Sequence, residues 1–120
     1  MSRLLELEEL PAESWPRLVR DLQKQRVHHR VTIEEREPGF EEDDLAPWLV
    51  VQGAPLLGLS FTTLPRPAIE VAWRGTDGDT CFHRIEVPAR LRHLRDALGR
   101  EVEVRIDRAD GGSTLLTFSR

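Results

Sequence analysis

The sequence predicts an α+β fold, in which a bent antiparallel sheet of about six strands is covered by an amphipathic helix near the N-terminus. Three observations predict it: two alternating runs that flank a turn between residues 68 and 87, a helical stripe over residues 14–25, and a second alternating pair over residues 102–119. A chain of 120 residues has the length of one domain, and we expect residues 1–120 to form it. The pattern leaves open whether the sheet closes in part, like an SH3- or Sm-type barrel, or stays an open two-layer sandwich.

The central hairpin runs from Ala68 to Val87, with a Gly/Asp turn at residues 76–79. Two alternating runs around such a turn are a strong signal for antiparallel pairing. Because side chains of a strand point alternately to its two faces, each run presents one apolar row. The rows are Ile69, Val71 and Trp73 on the first strand, and Cys81, His83, Ile85 and Val87 on the second.

The helix predicted over Ser14 to Gln25 covers that apolar face. Its apolar side chains recur with helical spacing, at Trp15, Leu18, Val19 and Leu22. Ser14 is predicted as the N-cap, and Pro16 falls in the first turn, where the N–H that proline lacks is not needed. Leu4 to Glu8, where leucines alternate with acids, would add a short edge strand before the helix.

Further strands are predicted between the helix and the central hairpin. Val27 to Arg36 alternates, with Val27, His29, Val31 and Ile33 on one face. Trp48 to Gln52 and Leu56 to Thr63 are apolar, and the Gly-Ala-Pro sequence at residues 53–55 predicts a turn that pairs them as a hairpin. Gly58 is predicted to mark a bulge.

The segment from Ala89 to Arg100 fits two structures. Leu91, Leu94 and Leu98, followed by Gly99, predict a short second helix with a glycine after its C-terminus. Residues 90–93 (Arg-Leu-Arg-His) would instead extend the preceding strand, but the leucine spacing favours the helix. The chain then closes with a second hairpin, in which residues 102–106 alternate, residues 109–112 turn, and residues 113–119 return.

Composition excludes several classes of protein. The formal net charge is −4, so a general attraction to nucleic acid or to an anionic membrane is not expected. Cys81 is the only cysteine, which fits a reducing compartment, and we expect a cytoplasmic protein. Residues 1–10 carry three glutamates and no long apolar run, so neither a signal peptide nor a membrane span is predicted there. No phosphate-binding loop, nucleophile elbow or zinc-protease motif occurs, which favours a non-enzymatic protein without a cofactor.

The order of turn and core motifs resembles a known family. Residues 11–16 form a Pro-x-Glu-x-Trp-Pro helix start, His83 and Ile85 end the central hairpin, Pro88 and Arg90 form a Pro-x-Arg step, and residues 109–118 read Ala-Asp-Gly-Gly-Ser-Thr-Leu-Leu-Thr-Phe. Together they resemble a small bacterial family that carries only the label domain of unknown function 5335. This chain departs from that family in its longer acidic loop and its leucine-rich segment at residues 89–98. The resemblance implies no activity and no functional residues.

Cys81, His83 and His29 are the candidate metal ligands. Cys81 and His83 are two residues apart and share a strand face, and His29 is predicted on the apolar face of another strand. A thiolate and two imidazoles would suit zinc. The paired Cys-x-x-Cys or His-x-x-x-His spacings of structural zinc sites are absent, which favours a core position for Cys81 and positions at the sheet margins for the histidines. A zinc-binding or small-ligand-binding protein is therefore the alternative hypothesis.

Charge separation and one tryptophan predict an interaction surface. Seven carboxylates against one arginine make residues 34–44 an acidic, solvated loop, to which Glu35 is assigned. Four arginines against one aspartate form a basic ridge on the predicted second helix. Trp48, directly after the acidic loop, is the surface tryptophan, whereas Trp73 belongs to the core. The favoured function is a non-enzymatic protein-interaction or self-associating module. Its candidate contact residues are Trp48, Glu41, Glu42, Asp43, Asp44, Arg90, Arg92 and Arg95.

Overall fold

The computed structural model describes residues 7–37 and 48–120, which form an α+β fold with one α-helix and eight strands. The elements in chain order are β1 (Glu8–Leu10), a 3-10 helix (Ala12–Ser14), α1 (Trp15–Arg26), β2 (Arg30–Arg36), β3 (Trp48–Thr62), β4 (Ala68–Arg74), β5 (Thr80–Glu86), β6 (Pro88–Arg95), β7 (Glu101–Arg108) and β8 (Ser113–Ser119). The prediction of about six strands is therefore wrong, because the sheet contains eight.

All eight strands belong to one antiparallel sheet in the order β1-β6-β7-β8-β2-β3-β4-β5. Strand β3 spans fifteen residues, pairs with β2 through its first half and with β4 through its second half, and so joins the two halves of the sheet. The sheet is open, with β1 at one end and β5 at the other. Among the described residues no strand pairing closes it into a barrel.

The hairpin predicted between residues 48 and 63 is wrong, because β3 runs straight through residues 53–55. Gly53 takes a positive φ of 62°, which a glycine adopts without cost. Its N–H donates to Thr32 Oγ1 at 3.0 Å, and its carbonyl oxygen accepts from Arg30 Nη1 at 2.8 Å. Side chains of β2 therefore satisfy the backbone at this point, and the strand continues. The bulge predicted at Gly58 is confirmed by a register shift between Leu56 and Gly58.

The second helix predicted over residues 89–100 is also wrong, because Pro88 to Arg95 form strand β6. Leu91 is fully buried and lies opposite Ile106 of β7, so pairing with a distant strand overrides the local leucine spacing. Leu98 is 77% exposed, and Gly99 takes a φ of 79° between β6 and β7.

One residue, Val87, joins β5, at one end of the sheet, to β6, the neighbour of β1 at the other end. Its φ of 45° is rare for a β-branched residue. Two backbone hydrogen bonds of 2.9 Å hold it, one from its N–H to Pro67 O and one from the N–H of Ala109 to its carbonyl oxygen. After Val87 the chain leaves the end of the sheet that β5 forms, and β6 pairs with β7 instead of with β5.

Helix α1 covers one side of the sheet, as predicted, and packs mainly against β3. The four residues of its predicted stripe are all buried, at Trp15, Leu18, Val19 and Leu22. Ser14 is not the predicted side-chain cap, because it has helical backbone angles and makes no side-chain cap hydrogen bond. In the described ranges no helix combines the length and the apolar character that a membrane crossing requires.

Two predicted strands need comment on their bounds. The edge strand predicted from Leu4 to Glu8 lies mostly outside the described residues, and within them the first strand is Glu8–Leu10. Strand β2 begins at Arg30, because residues 27–29 form a turn in which His28 takes a φ of 72°. His29 therefore precedes the strand on which the sequence places it.

Candidate functional site

Among residues 7–37 and 48–120, strand β5 forms one end of the sheet and pairs on one side only, with β4. Its inward row is Cys81, His83 and Ile85, and its outward row is Thr80, Phe82, Arg84 and Glu86. Phe82 is 63% exposed. Arg84 Nε donates to Glu86 Oε1 at 2.7 Å, and Arg84 Nη1 lies 3.7 Å from Glu70 Oε2. The edge therefore combines an exposed aromatic ring with charges that are already paired.

A buried carboxylate, Glu35, lies beneath this edge. It is 6% exposed and belongs to β2, where Trp48 of β3 and Thr114 of β8 are its cross-strand neighbours. Glu35 Oε1 accepts from His83 Nε2 at 2.7 Å and from the hydroxyl of Thr114, and Glu35 Oε2 accepts from Arg108 Nη1. An ionised carboxylate only accepts hydrogen bonds, so His83 carries a proton on Nε2.

The environment of Glu35 keeps it ionised. Burial alone would raise its pKa, but the hydrogen bonds from His83 and Thr114 and the charge of Arg108 hold the pKa below its ordinary value. These partners lie on β5, β8 and β7, so the carboxylate joins the two halves of the sheet.

The assignment of Glu35 to the solvated acidic loop is therefore wrong. The signal that identifies it is the alternation Val31, Ile33, Glu35, which continues the inward row of β2. The carboxylate is buried because that row brings it against His83 and Arg108, which come from much later in the chain.

Substitution of Gly112 tests the packing around Arg108. A Cβ at this position would collide with the guanidinium of Arg108 and would lie 2.7 Å from Arg36 O. We expect Gly112→Ala to lower the free energy of unfolding by about 1–3 kcal/mol, because the methyl group must displace Arg108 from Glu35. Urea unfolding followed by circular dichroism measures this change.

Gly78→Ala is the matched control. Gly78 has a φ of 89°, and no atom lies within 4 Å of an added Cβ. Gly78→Ala therefore introduces backbone strain alone, which we expect to lower the free energy of unfolding by about 1 kcal/mol. If Gly112→Ala lowers the free energy of unfolding by no more than a few tenths of a kcal/mol, the contact between Arg108 and Glu35 is not as close as described.

The three predicted metal ligands do not come together. Cys81 and His83 share the inner face of β5, as predicted. His29 Nδ1 instead lies 3.1 Å from Arg26 Nη1, and burial together with that charge lowers the pKa of His29. Within residues 7–37 and 48–120, no group of three or more His, Cys, Asp or Glu side chains is placed to hold a metal ion.

The predicted basic ridge lies on a strand and is engaged within the chain. Arg90 pairs with Glu9, Arg92 Nη2 lies 3.3 Å from Asp107 Oδ2, and Arg95 Nε lies 3.0 Å from Glu101 Oε1. The acidic candidates Glu41, Glu42, Asp43 and Asp44 lie outside the described residues.

The two tryptophans lie as predicted. Trp48, the first residue of β3, is 52% exposed, whereas Trp73 is 7% exposed and belongs to the core. Because Trp48 lies opposite Glu35 on the neighbouring strand, it flanks the polar centre at the surface.

A second buried polar centre joins the end of α1 to the β6–β7 hairpin. Arg26 Nε and Nη2 donate to the carbonyl oxygen of Glu101 at 2.9 and 2.7 Å. His93 Nδ1 lies 2.9 Å from Glu101 Oε2. This centre is not predicted from the sequence, although Arg26 continues the helical stripe four residues after Leu22. Its partner in the β6–β7 hairpin, Glu101, is 75 residues away in the chain, so local periodicity carries no sign of that contact.

Comparison with protein-family models, with curated proteins and with solved structures found no match. The resemblance to domain of unknown function 5335 therefore stays a prediction.

Proposed function

We propose that this protein is a non-enzymatic interaction module that self-associates through the free edge of strand β5. The observation that carries the proposal is a seven-residue strand at the end of the sheet whose Phe82 is 63% exposed. An edge strand presents backbone N–H and C=O groups without partners on one side, and these groups form a template for another strand.

The two ends of the sheet differ in how well they are protected. Strand β1 has only three residues, and two of them are exposed glutamates, Glu8 and Glu9. Strand β5 contains neither proline nor lysine, and its pairing with β4 runs from Thr80 to Glu86 without a register shift. Short length, charge, proline and bulges are the features that prevent edge-to-edge pairing. Strand β5 is therefore the end that suits an added strand.

A second copy of β5 fits this edge in an antiparallel pair centred on His83. Phe82 of each copy then lies opposite Arg84 of the other, and a guanidinium is attracted to the face of an aromatic ring. Arg84 and Glu86 already neutralise each other, at 2.7 Å, so the strand carries no net charge that would repel its copy.

Of the contact residues predicted from the sequence, some belong to the proposed interface and others do not. Trp48 is retained as a further contact residue, because it is half exposed and apolar. Arg90, Arg92 and Arg95 are left out, because each already pairs with a carboxylate of the same chain. The single cysteine supports a reducing, cytoplasmic compartment for such a module.

Phe82→Lys tests the proposal by sedimentation analysis. We expect the wild type to be dimeric at about 100 μM and the variant to dimerise at least about tenfold more weakly, because lysine places a hydrated charge on the edge. Backbone pairing is not a pairing of surface charges, so the dimer should persist at high salt.

Leu64→Lys is the control for Phe82→Lys, because Leu64 is 79% exposed but lies in the connection before β4. It should leave dimerisation unchanged. A wild type that is monomeric at that concentration, or two lysine variants that behave alike, would refute the β5 interface.

A further inference from the structure

A cleft of about 500 Å³ opens between the first half of β3 and the β4–β5 turn. Its apolar lining comes from Val50, Val51, Ala54, Pro55, Trp73 and Cys81. Pockets that bind small molecules typically measure about 300–1,000 Å³ and have mostly apolar walls. The size and the lining therefore suit a small organic molecule.

The charged residues on this cleft are all basic. Arg30 and Arg74 line it, and no acidic side chain of the described residues does. Arg30 Nη1 donates to Gly53 O at 2.8 Å, which holds the guanidinium at the rim of the cleft. The guanidinium has five N–H donors, so others can donate hydrogen bonds to a ligand.

These two arginines differ from most of the arginines of β5 to β7. Arg84, Arg90, Arg92, Arg95, Arg100 and Arg108 each pair with a carboxylate. In the described part of the chain, neither Arg30 nor Arg74 has such a partner. Two cations that pair with no carboxylate of the described ranges lie beside an apolar wall, and together they complement a ligand of opposite charge.

We propose that the cleft binds a small organic anion with an apolar body, such as an aromatic or aliphatic carboxylate. The apolar body lies along Val51 and Trp73, and the acidic group is held by Arg30 and Arg74, which donate charge-assisted hydrogen bonds. This site is separate from the proposed dimer contact of Phe82, which lies on the opposite face of β5 from Cys81.

Two fluorescent probes that share an aromatic body test the charge requirement. Anilinonaphthalene sulfonate carries an anionic group, whereas N-phenylnaphthylamine is neutral. We expect Arg74→Gln and Arg30→Gln each to weaken binding of the sulfonate about tenfold and to change binding of the neutral probe less than about twofold. Arg66→Gln, on an exposed residue outside the cleft, is the control and should change neither. If the sulfonate does not bind, or binds equally well to all three variants, the proposal is wrong.

Alkylation of Cys81 locates the probe. Cys81 is the only cysteine and lines the cleft, so iodoacetamide labelling measured by mass spectrometry reports on this place alone. At ten times its dissociation constant, the sulfonate should slow labelling about tenfold, since only the free fraction reacts. The labelling rate is measured in the wild type and in Phe82→Lys, so that protection of Cys81 by self-association is distinguished from protection by the probe. A labelling rate that the probe leaves unchanged in both proteins would place the probe elsewhere and overturn the inference.

Discussion

Leu22→Ala should lower the free energy of unfolding by about 2–5 kcal/mol, the largest stability effect that we expect from one substitution in this chain. Leu22 lies in the middle of the buried stripe of α1, is 1% exposed and belongs to the core cluster with residues of β2, β3, β4 and β8. Its removal takes apolar surface out of the core and leaves a cavity among the remaining core side chains. Urea unfolding followed by circular dichroism measures the loss.

Lys24→Ala, on the exposed side of the same helix, is the matched control. A surface substitution of this kind should change the free energy of unfolding by no more than about 0.5 kcal/mol. If the two variants are equally stable, α1 does not cover the sheet, and the described packing would be wrong.

Glu35→Gln should lower the free energy of unfolding by about 2–4 kcal/mol at neutral pH. Glutamine has nearly the same shape, so no cavity forms, but the charge that Arg108 faces is removed and one oxygen acceptor becomes a donor. Arg108 keeps its contacts to Asp110 and Thr114, at 3.2 and 3.1 Å, which limits the loss. Glu37→Gln, on an exposed residue just after β2, is the control and should have little effect.

The comparison of Glu35→Gln with the wild type also gives a pH dependence with a defined sign. Because the pKa of Glu35 in the folded protein lies below its ordinary value of 4.5, its ionised form stabilises the fold above about pH 4.5, and that contribution is lost as the pH falls through the lowered pKa. The stability difference between the wild type and Glu35→Gln should therefore be constant near neutral pH and shrink below pH 4.5. A difference that grows on acidification would contradict the ionised state assigned to Glu35.

The candidate site was predictable only in part. Cys81 and His83 share a face and Trp48 is exposed, as alternation and position in the chain predict. Glu35 was missed because acidic neighbours in the sequence resemble a solvated loop, and its buried position depends on donors far along the chain. The same reason explains the arginines of β6, whose carboxylate partners come from β1 and β7.

The sequence by itself determined the elements whose hydrogen-bond partners are near in the chain. These are helix α1 with its buried stripe, the β4–β5 hairpin and the β7–β8 hairpin. In each, the side-chain period and the turn residues are local properties, so no distant contact is needed to specify them.

Tertiary structure decided the elements whose partners are far away. Residues 88–95 form a strand because β7 and β1 lie on either side of them, although their leucines have helical spacing. Residues 48–62 form one strand instead of a hairpin because β2 pairs with the first half and β4 with the second. In both segments the local preference is weak, and the free energy of pairing and burial against distant strands exceeds it.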